Sequence, residues 1–426
     1  ELQEEAQELT GLKNPNSLAQ LKRWLAEQGV EMTSVTKDTI AEALRDPELP
    51  DVVRRVLEIR TALGKTSVAK YSTMLVAHCQ DHRLRGILQF YGANRSGRWA
   101  GRLVQTHNLA KNTLPDLALA RELAAEGDFE TMGTLFGETA FVFSELIRTA
   151  FIPSEGCRFI VSDFSAIEAR VLAWLAGEEW VLEAFRNGKD IYCETASMMY
   201  HVPVEKHGAN SHLRQKGKVA VLACGYQGGV GAMKRMDKGG SIPEDELQSV
   251  VDQWRQANSN SVKLWRTCEL AARTAIEEHR TVRLKNGLAF GYINGNLFIK
   301  LPGGRKLCYW NTRLKLDPRD GREHIVYMGV NQETKQWGET ETYGGKLVEN
   351  IVQATARDCL AISMQRVAAL GYNIVMHVHD EIIVDCPIED TGAMERINAC
   401  MAEPIPWAPG LPLKGDGYET PFYMKD

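Results

Sequence analysis

The sequence predicts an α+β fold, in which helical blocks stand beside strand-rich ones. Three observations predict it. An apolar run, Phe159-Ile160-Val161, enters Ser162-Asp163 and gives way to a helical period at Ile167, Val171, Leu172, Trp174 and Leu175. Between residues 281 and 343, glycines recur among short strand-like pieces such as Leu297-Phe298-Ile299 and His324-Ile325-Val326-Tyr327. Further on, two apolar strand segments flank His379-Asp380-Glu381, which reads as a tight hairpin.

The bulk numbers bound the answer. The chain has 426 residues, 44% of them hydrophobic, enough for two or three domains or one large articulated one. No apolar run is long enough to span a bilayer, so a soluble protein is expected. Nine cysteines are scattered without a Cys-x-x-Cys pair, which fits a reducing compartment and suggests neither a zinc ribbon nor a redox couple. The net charge of −5 gives no sign of a nucleic-acid binder; that role would need basic residues gathered on one surface. The first residue is Glu1 rather than Met, so the sequence reads as a fragment or a processed product.

In chain order, residues 1–90 read as mostly helical. Ser17 is placed to cap a helix through Leu18, Leu21, Trp24 and Leu25, which Gly29 stops. Asp38 is placed to cap a second, and Val52, Val53, Val56, Leu57 and Ile59 continue the pattern to Leu63-Gly64. Basic residues from Lys13 to Lys65 and Lys70 fit a solvated face as well as phosphate contacts. Ile87-Leu88-Gln89-Phe90-Tyr91 is strand-like and leads into a loop with Arg95, Arg98 and Arg102 among glycines, where a backbone can approach a phosphate. Residues 115–150 return to helix, residues 242–280 are helical around Trp254 and Trp265, and Leu347 opens one long helix carrying Gln353, Arg357 and Asp358.

Three stretches carry candidate chemistry. Asp163 lies where a strand hands over to a helix, a place where a rigid element meets solvent. The alternative is local: Ser165-Ala166-Ile167-Glu168 fits a capping box, with Asp163 a turn residue. Residues 213–226 read as a helix on which Arg214, Lys218, Leu222 and Tyr226 recur every four residues. They sweep one face about 18 Å long. Two cations, an apolar residue and a ring suit a nucleotide; a basic surface helix with Leu222 and Tyr226 in the core fits equally. In the hairpin, His, Asp and Glu replace the usual Gly or Asn, and His377 and His379 share a strand face, which also permits a His-x-His metal site.

In this order the three stretches resemble motifs A, B and C of the family A DNA polymerases, the polymerase I type. Asp163-Phe164-Ser165-Ala166-Ile167-Glu168-Ala169-Arg170 resembles motif A, Arg214 and Lys218 with Tyr226 motif B, and His379-Asp380-Glu381 motif C. The loop at Arg98, Asn14-Pro15-Asn16-Ser17 and the stretch from Glu419 to Lys425 also fit, so the resemblance covers nearly the whole chain. The β-rich segment and the form of motif B look most like bacteriophage members. The resemblance implies a right-hand fold: a helical thumb (1–85), a palm with an antiparallel sheet (86–175 and 345–426), and helical fingers with the β-rich insertion (176–344). The exonuclease domain common upstream in the family is absent from this stretch.

It also implies template-directed DNA synthesis from a primer 3′-hydroxyl in a bacterial or phage-infected cytoplasm, by a monomer acting on primer-template DNA and deoxynucleoside triphosphates. Joining the hydroxyl to the α-phosphate needs charge neutralised on both oxygens, which two Mg²⁺ ions held by hard oxygen ligands do. Asp163 and Asp380 are expected to hold them with the Phe164 carbonyl, and Glu381 is an accessory candidate. Arg214 and Lys218 would grip the β- and γ-phosphates, Tyr226 would stack near the templating position, and Glu168 would crowd the sugar 2′ position. Arg98, Gln353 and His379 would touch the primer end or minor groove. Leu222 stands where the family usually has Phe or Tyr, Tyr192 where it often has a phosphate-contacting His, and Gln227 where a Gly often follows the Tyr. Two other readings fit less of the chain: a metal-dependent phosphohydrolase built on His377, His379, Asp380 and Asp163, and a non-catalytic DNA-binding relative.

Overall fold

The computed structural model describes residues 2–32, 34–63, 68–237, 239–331 and 335–425. Gly64 and Lys65, named above, lie outside them. Contacts divide the chain into two compact units, residues 1–88 with 101–152 and 422–426, and residues 89–100 with 153–421.

The first unit is helical. It carries α1 (Leu2–Thr10), α2 (Leu18–Glu27), α3 (Lys37–Ala43), α4 (Asp51–Leu63), α5 (Ala69–Ala77), α6 (Leu117–Glu126), α7 (Phe129–Phe136) and α8 (Thr139–Leu146). Leu21, Trp24 and Leu25 of α2 and Val53, Val56 and Leu57 of α4 bury one core, as their helical spacing dictates. Ser17 does stand at the start of α2, but its side chain makes no capping bond. The cap of α3 is Thr36, whose hydroxyl exchanges bonds with Thr39, so Asp38 lies inside the helix rather than at its start. Buried Arg148 donates to the Leu109 and Ala110 carbonyls and to the Tyr423 hydroxyl, which ties residues 422–426 into this unit.

The second unit holds the two larger sheets. Two-residue strands β1 (Leu88–Gln89) and β2 (Ala100–Gly101) bracket the arginine loop, so the expected strand at 87–91 is mostly loop. A four-stranded antiparallel sheet has the order β10-β11-β3-β12, made of β3 (Cys157–Phe164), β10 (Asn373–Val378), β11 (Glu381–Pro387) and β12 (Gly415–Thr420). Ile160, Val161, Ile382, Ile383 and Val384 are buried on its two central strands. After β3 come α9 (Ile167–Ala176), α10 (Glu179–Arg186), α11 (Ile191–Tyr200), α12 (Leu213–Cys224), α13 (Val230–Met236), α14 (Leu247–Ala257) and α15 (Ser259–Glu278). Trp254 and Trp265 stack in the core at 6.1 Å between ring centroids.

Gly217 and the valines of α12 have low helix propensity, yet the helix forms. A Cβ at Gly217 would lie 2.1 Å from the Tyr192 carbonyl oxygen, so glycine is what lets α11 and α12 pack backbone to backbone. The β-rich segment is one six-stranded antiparallel meander: β4 (Val282–Arg283), β5 (Ala289–Ile293), β6 (Asn296–Lys300), β7 (Lys306–Asp317), β8 (Arg322–Val330) and β9 (Trp337–Thr342). The long helix α16 (Gly344–Ala369) follows, and α17 (Ala393–Ala402) packs on β12 and β3. No helix among the described residues is long and apolar enough to cross a membrane.

Candidate active site

The site is built where β3 ends. Strand β11 runs antiparallel to β3 with Glu381 opposite Asp163, and the Phe164 N–H donates to the Asp380 carbonyl at 3.2 Å. The chain therefore places Asp380 in the turn beside the end of β3, with its backbone next to Phe164 and one residue before Glu381, the partner of Asp163. The turn before β11 is made by His379, which is exposed at φ 55°, and Asp380. Glu381 opens β11 and is buried. On the other side of β3, Asp416 of β12 pairs with Asp163, so three carboxylates share one level of the sheet.

Arg98 joins this level to the helix beyond it. Its guanidinium donates 3.0 Å bonds to Asp380 Oδ1 and to Glu168 Oε1. Glu168 Oε2 in turn accepts from the Tyr226 hydroxyl at 2.7 Å. Burial works against the Arg98 charge, but the two carboxylates outweigh it and its pKa rises. Burial raises the Glu168 pKa despite the Tyr226 and Arg98 bonds, and burial next to Glu168 raises that of Tyr226, which stays a neutral donor.

The capping box expected at Ser165 does not form. The N-cap of α9 is Ala166 in the left-handed region at φ 51°, with no side-chain cap. Glu168 is taken up by Arg98 and Tyr226 instead, and the Ser165 carbonyl accepts from buried Arg170 at 2.6 Å. Arg170 also reaches the Pro412 carbonyl and lies 4.1 Å over the Phe185 ring. It locks the turn after Asp163, a role its place in an apolar helical stretch could have suggested.

Helix α12 ends at Cys224, so Tyr226 lies just past it rather than on its last turn. The Gly345 N–H donates to the Gln227 side chain, and a Cβ at Gly345 would lie 2.4 Å from the Tyr226 carbonyl; the start of α16 thus fixes the Tyr226 backbone. Arg214 is gripped by Asp190, the N-cap of α11, at 2.7 and 2.9 Å, and lies 5.2 Å over the Tyr192 ring. Arg214, Tyr192, Ser165 and Ala166 line one cavity of about 310 Å³, into which Lys206 and Lys414 also face. The two lysines escaped the sequence reading because nothing in their local pattern marks them. Lys218 is half-buried on α12 without a carboxylate partner among the described residues, and Leu222 is 42% exposed. Gln353 of α16 lines a separate groove with residues of the 92–96 loop.

The His-x-His option does not survive. His377 is buried edge-on to Trp99 at 4.7 Å, while His379 is exposed beyond the strand end. Among the described residues the one cluster of three side chains able to share a metal is Asp317, Asp320 and His324, at the β7–β8 hairpin. Burial, helped by Arg357, lowers the His377 pKa from 6.5 to about 4. The unfolded chain therefore binds the extra proton first, and stability falls as pH drops from about 6.5 towards 4, by up to about 3 kcal/mol. Thermal melts across that range should show the slope, and His377→Leu should flatten it; equal slopes would contradict this assignment.

With this geometry in hand, comparison with known proteins decides the family. The family model described as DNA polymerase family A matches residues 1–282. The DNA polymerase of Bacillus phage SP02 is 53% identical over 423 residues, which is 99% of this chain and 65% of that protein.

The chain belongs to DNA polymerase family A.

This family A chain is also 29% identical over 255 residues to the thermostable DNA polymerase I of Thermus aquaticus, covering 59% of itself and 25% of that enzyme. It spans less than two thirds of the phage polymerase's length and about a quarter of the Thermus one. In fold it is similar to the POL domain of Pol1 from M. smegmatis, solved in complex with DNA primer-template and dNTP. The TM-score is 0.64 at 18% identity, over 99% of this chain and 63% of that one. The family A polymerase fold expected from the sequence, α+β with an antiparallel central sheet, is the one observed.

Proposed function

We propose that this chain extends a DNA primer on a template, joining each deoxynucleotide to the 3′-hydroxyl with release of pyrophosphate. The observation that carries this is the backbone bond from Phe164, next to Asp163 at the end of β3, to the Asp380 turn, together with the bonds that join Asp380, Arg98, Glu168 and Tyr226. Two carboxylates and a backbone carbonyl, from the end of β3 and the turn before β11, would make a hard oxygen donor set of the kind that suits Mg²⁺. Asp163, the Phe164 carbonyl and Asp380 would hold two such ions. Bound there, the ions would neutralise charge on the attacking and leaving oxygens.

The chain's own groups supply the rest. Asp190 holds Arg214 from one edge, so that its other edge, with Lys218, can take the β- and γ-phosphates. Tyr192 flanks that guanidinium in place of a phosphate ligand. Arg98, Gln353 and His379 would meet the primer end or the minor groove, Tyr226 the templating position, and Glu381 would be an accessory carboxylate opposite Asp163. On this reading residues 1–85 are the thumb, 86–175 and 345–426 the palm, and 176–344 the fingers. The enzyme would act as a monomer in the cytoplasm of a bacterium or an infected host.

A primer-extension assay with Mg²⁺ and all four deoxynucleotides tests this reading. Nucleotide release without a primer would point instead to a phosphohydrolase, and DNA binding without turnover to a non-catalytic relative. The second is disfavoured because carboxylates beside phosphates weaken DNA binding. Leu222 adds a specific expectation. It puts neither ring nor hydroxyl beside the sugar, so dideoxynucleotides should be rejected strongly. Comparable single-turnover incorporation of both nucleotide types would refute that placement of Leu222.

A further inference from the structure

The family resemblance leaves the six-stranded meander without a task, and its outer half carries an unusual surface. Trp310 of β7 pairs with Met328 of β8, and Val330 of β8 pairs with Trp337 of β9. Met328 and Val330 are two residues apart, so all four side chains stand on one face. Trp310 is 57% exposed and Trp337 61%, far from the usual burial of tryptophan. These rings line a groove of about 530 Å³ whose opposite walls are the 92–96 loop and the first turns of α16.

The groove is basic. Among the described residues, Arg95, Lys335 and Lys346 line it against a single carboxylate, Glu349, which Lys346 already bonds at 2.7 Å. Arg95 is half-buried and has no carboxylate partner among the described residues. At its far end the groove reaches Gln353, proposed above to touch the duplex. Exposed rings and cations lining one groove suit bases and phosphates of an unpaired strand, since a ring can stack only on a base that is free of its duplex neighbours. An apolar protein partner would not need the three cations.

We propose that this groove binds the single-stranded template ahead of the primer end, with its bases stacked on Trp310 and Trp337 and its phosphates held by Arg95, Lys335 and Lys346. The proposal rests on the polymerase reading of the neighbouring site, but it fails or stands by a separate measurement. Equilibrium binding would be compared for a blunt primer-template duplex and for the same duplex with a 5′ template overhang of about twelve nucleotides. The wild-type chain is expected to prefer the overhang by about tenfold or more. The Trp310→Ala/Trp337→Ala double variant should lose most of that preference while binding blunt DNA as before, and Trp310→Phe/Trp337→Phe should keep much of it. Should the alanine variant fold poorly, the phenylalanine variant supplies the second measurement. Overhang DNA should quench wild-type tryptophan emission more than blunt DNA does, and the excess should vanish in the phenylalanine variant.

An overhang preference that persists unchanged in the alanine variant, or quenching that is the same for both DNAs, overturns the proposal and leaves the rings to a protein partner. Single-nucleotide addition on a one-nucleotide overhang is the control. If the wild type performs it, the polymerase reading survives whatever the groove does.

Discussion

Asp163→Ala and Asp380→Ala should each lower single-turnover primer extension by about 10³-fold or more, since each removes a ligand for ions that would contribute several kcal/mol to the transition state. The two variants should nevertheless differ in stability. Asp163 stands opposite Glu381 and Asp416, and like charges directly opposite are destabilising, so its loss should cost less than that of Asp380. Asp380 holds one end of Arg98, and its loss leaves a largely buried guanidinium with Glu168 alone. Losing a charge-assisted bond of that kind costs about 1.5–3 kcal/mol, which a thermal melt resolves. Asp380→Asn, which keeps an acceptor for Arg98, should regain part of that stability without regaining activity. Primer-template affinity should stay within a few-fold in all three. Extension within tenfold of wild type by either alanine variant would remove the carboxylates from the centre of the site.

The parts legible in the sequence were those whose cause is local. The strand before Asp163, the amphipathic helix after it, the hairpin at 379–381 and the glycine-punctuated meander each follow from a period or a turn composition. What stayed hidden depends on pairs distant in the chain. Arg98 reaches Glu168 and Asp380 across 70 and 282 residues, and no window of sequence contains both ends. The same holds for Gly217, whose presence in a helix makes sense only once the Tyr192 carbonyl is seen against it. The capping box at Ser165 shows the opposite error. A local motif was complete in type and spacing, but two distant donors claimed its glutamate, and a tertiary ion pair outweighs a cap of about 1 kcal/mol.

That glutamate carries the second large expectation. Glu168→Ala should raise the ratio of ribonucleotide to deoxynucleotide incorporation by about 10²-fold, equivalent to some 2.7 kcal/mol of relieved crowding at the sugar 2′ position. Two bonds would hold this side chain as a rigid wall. Tyr226 fixes one oxygen at 2.7 Å and Arg98 the other at 3.0 Å, so it cannot swing aside without breaking a part-buried bond. Glu168→Gln separates bulk from charge. It keeps the volume, so the ratio should stay near wild type, while weaker anchoring of Arg98 should slow correct incorporation several-fold. Alanine removes both, and it also frees Tyr226 from the bond that orients its ring, so correct incorporation should fall further than in the glutamine variant. If alanine leaves the ribonucleotide ratio unchanged while slowing both reactions alike, Glu168 positions Arg98 and Tyr226 and excludes nothing.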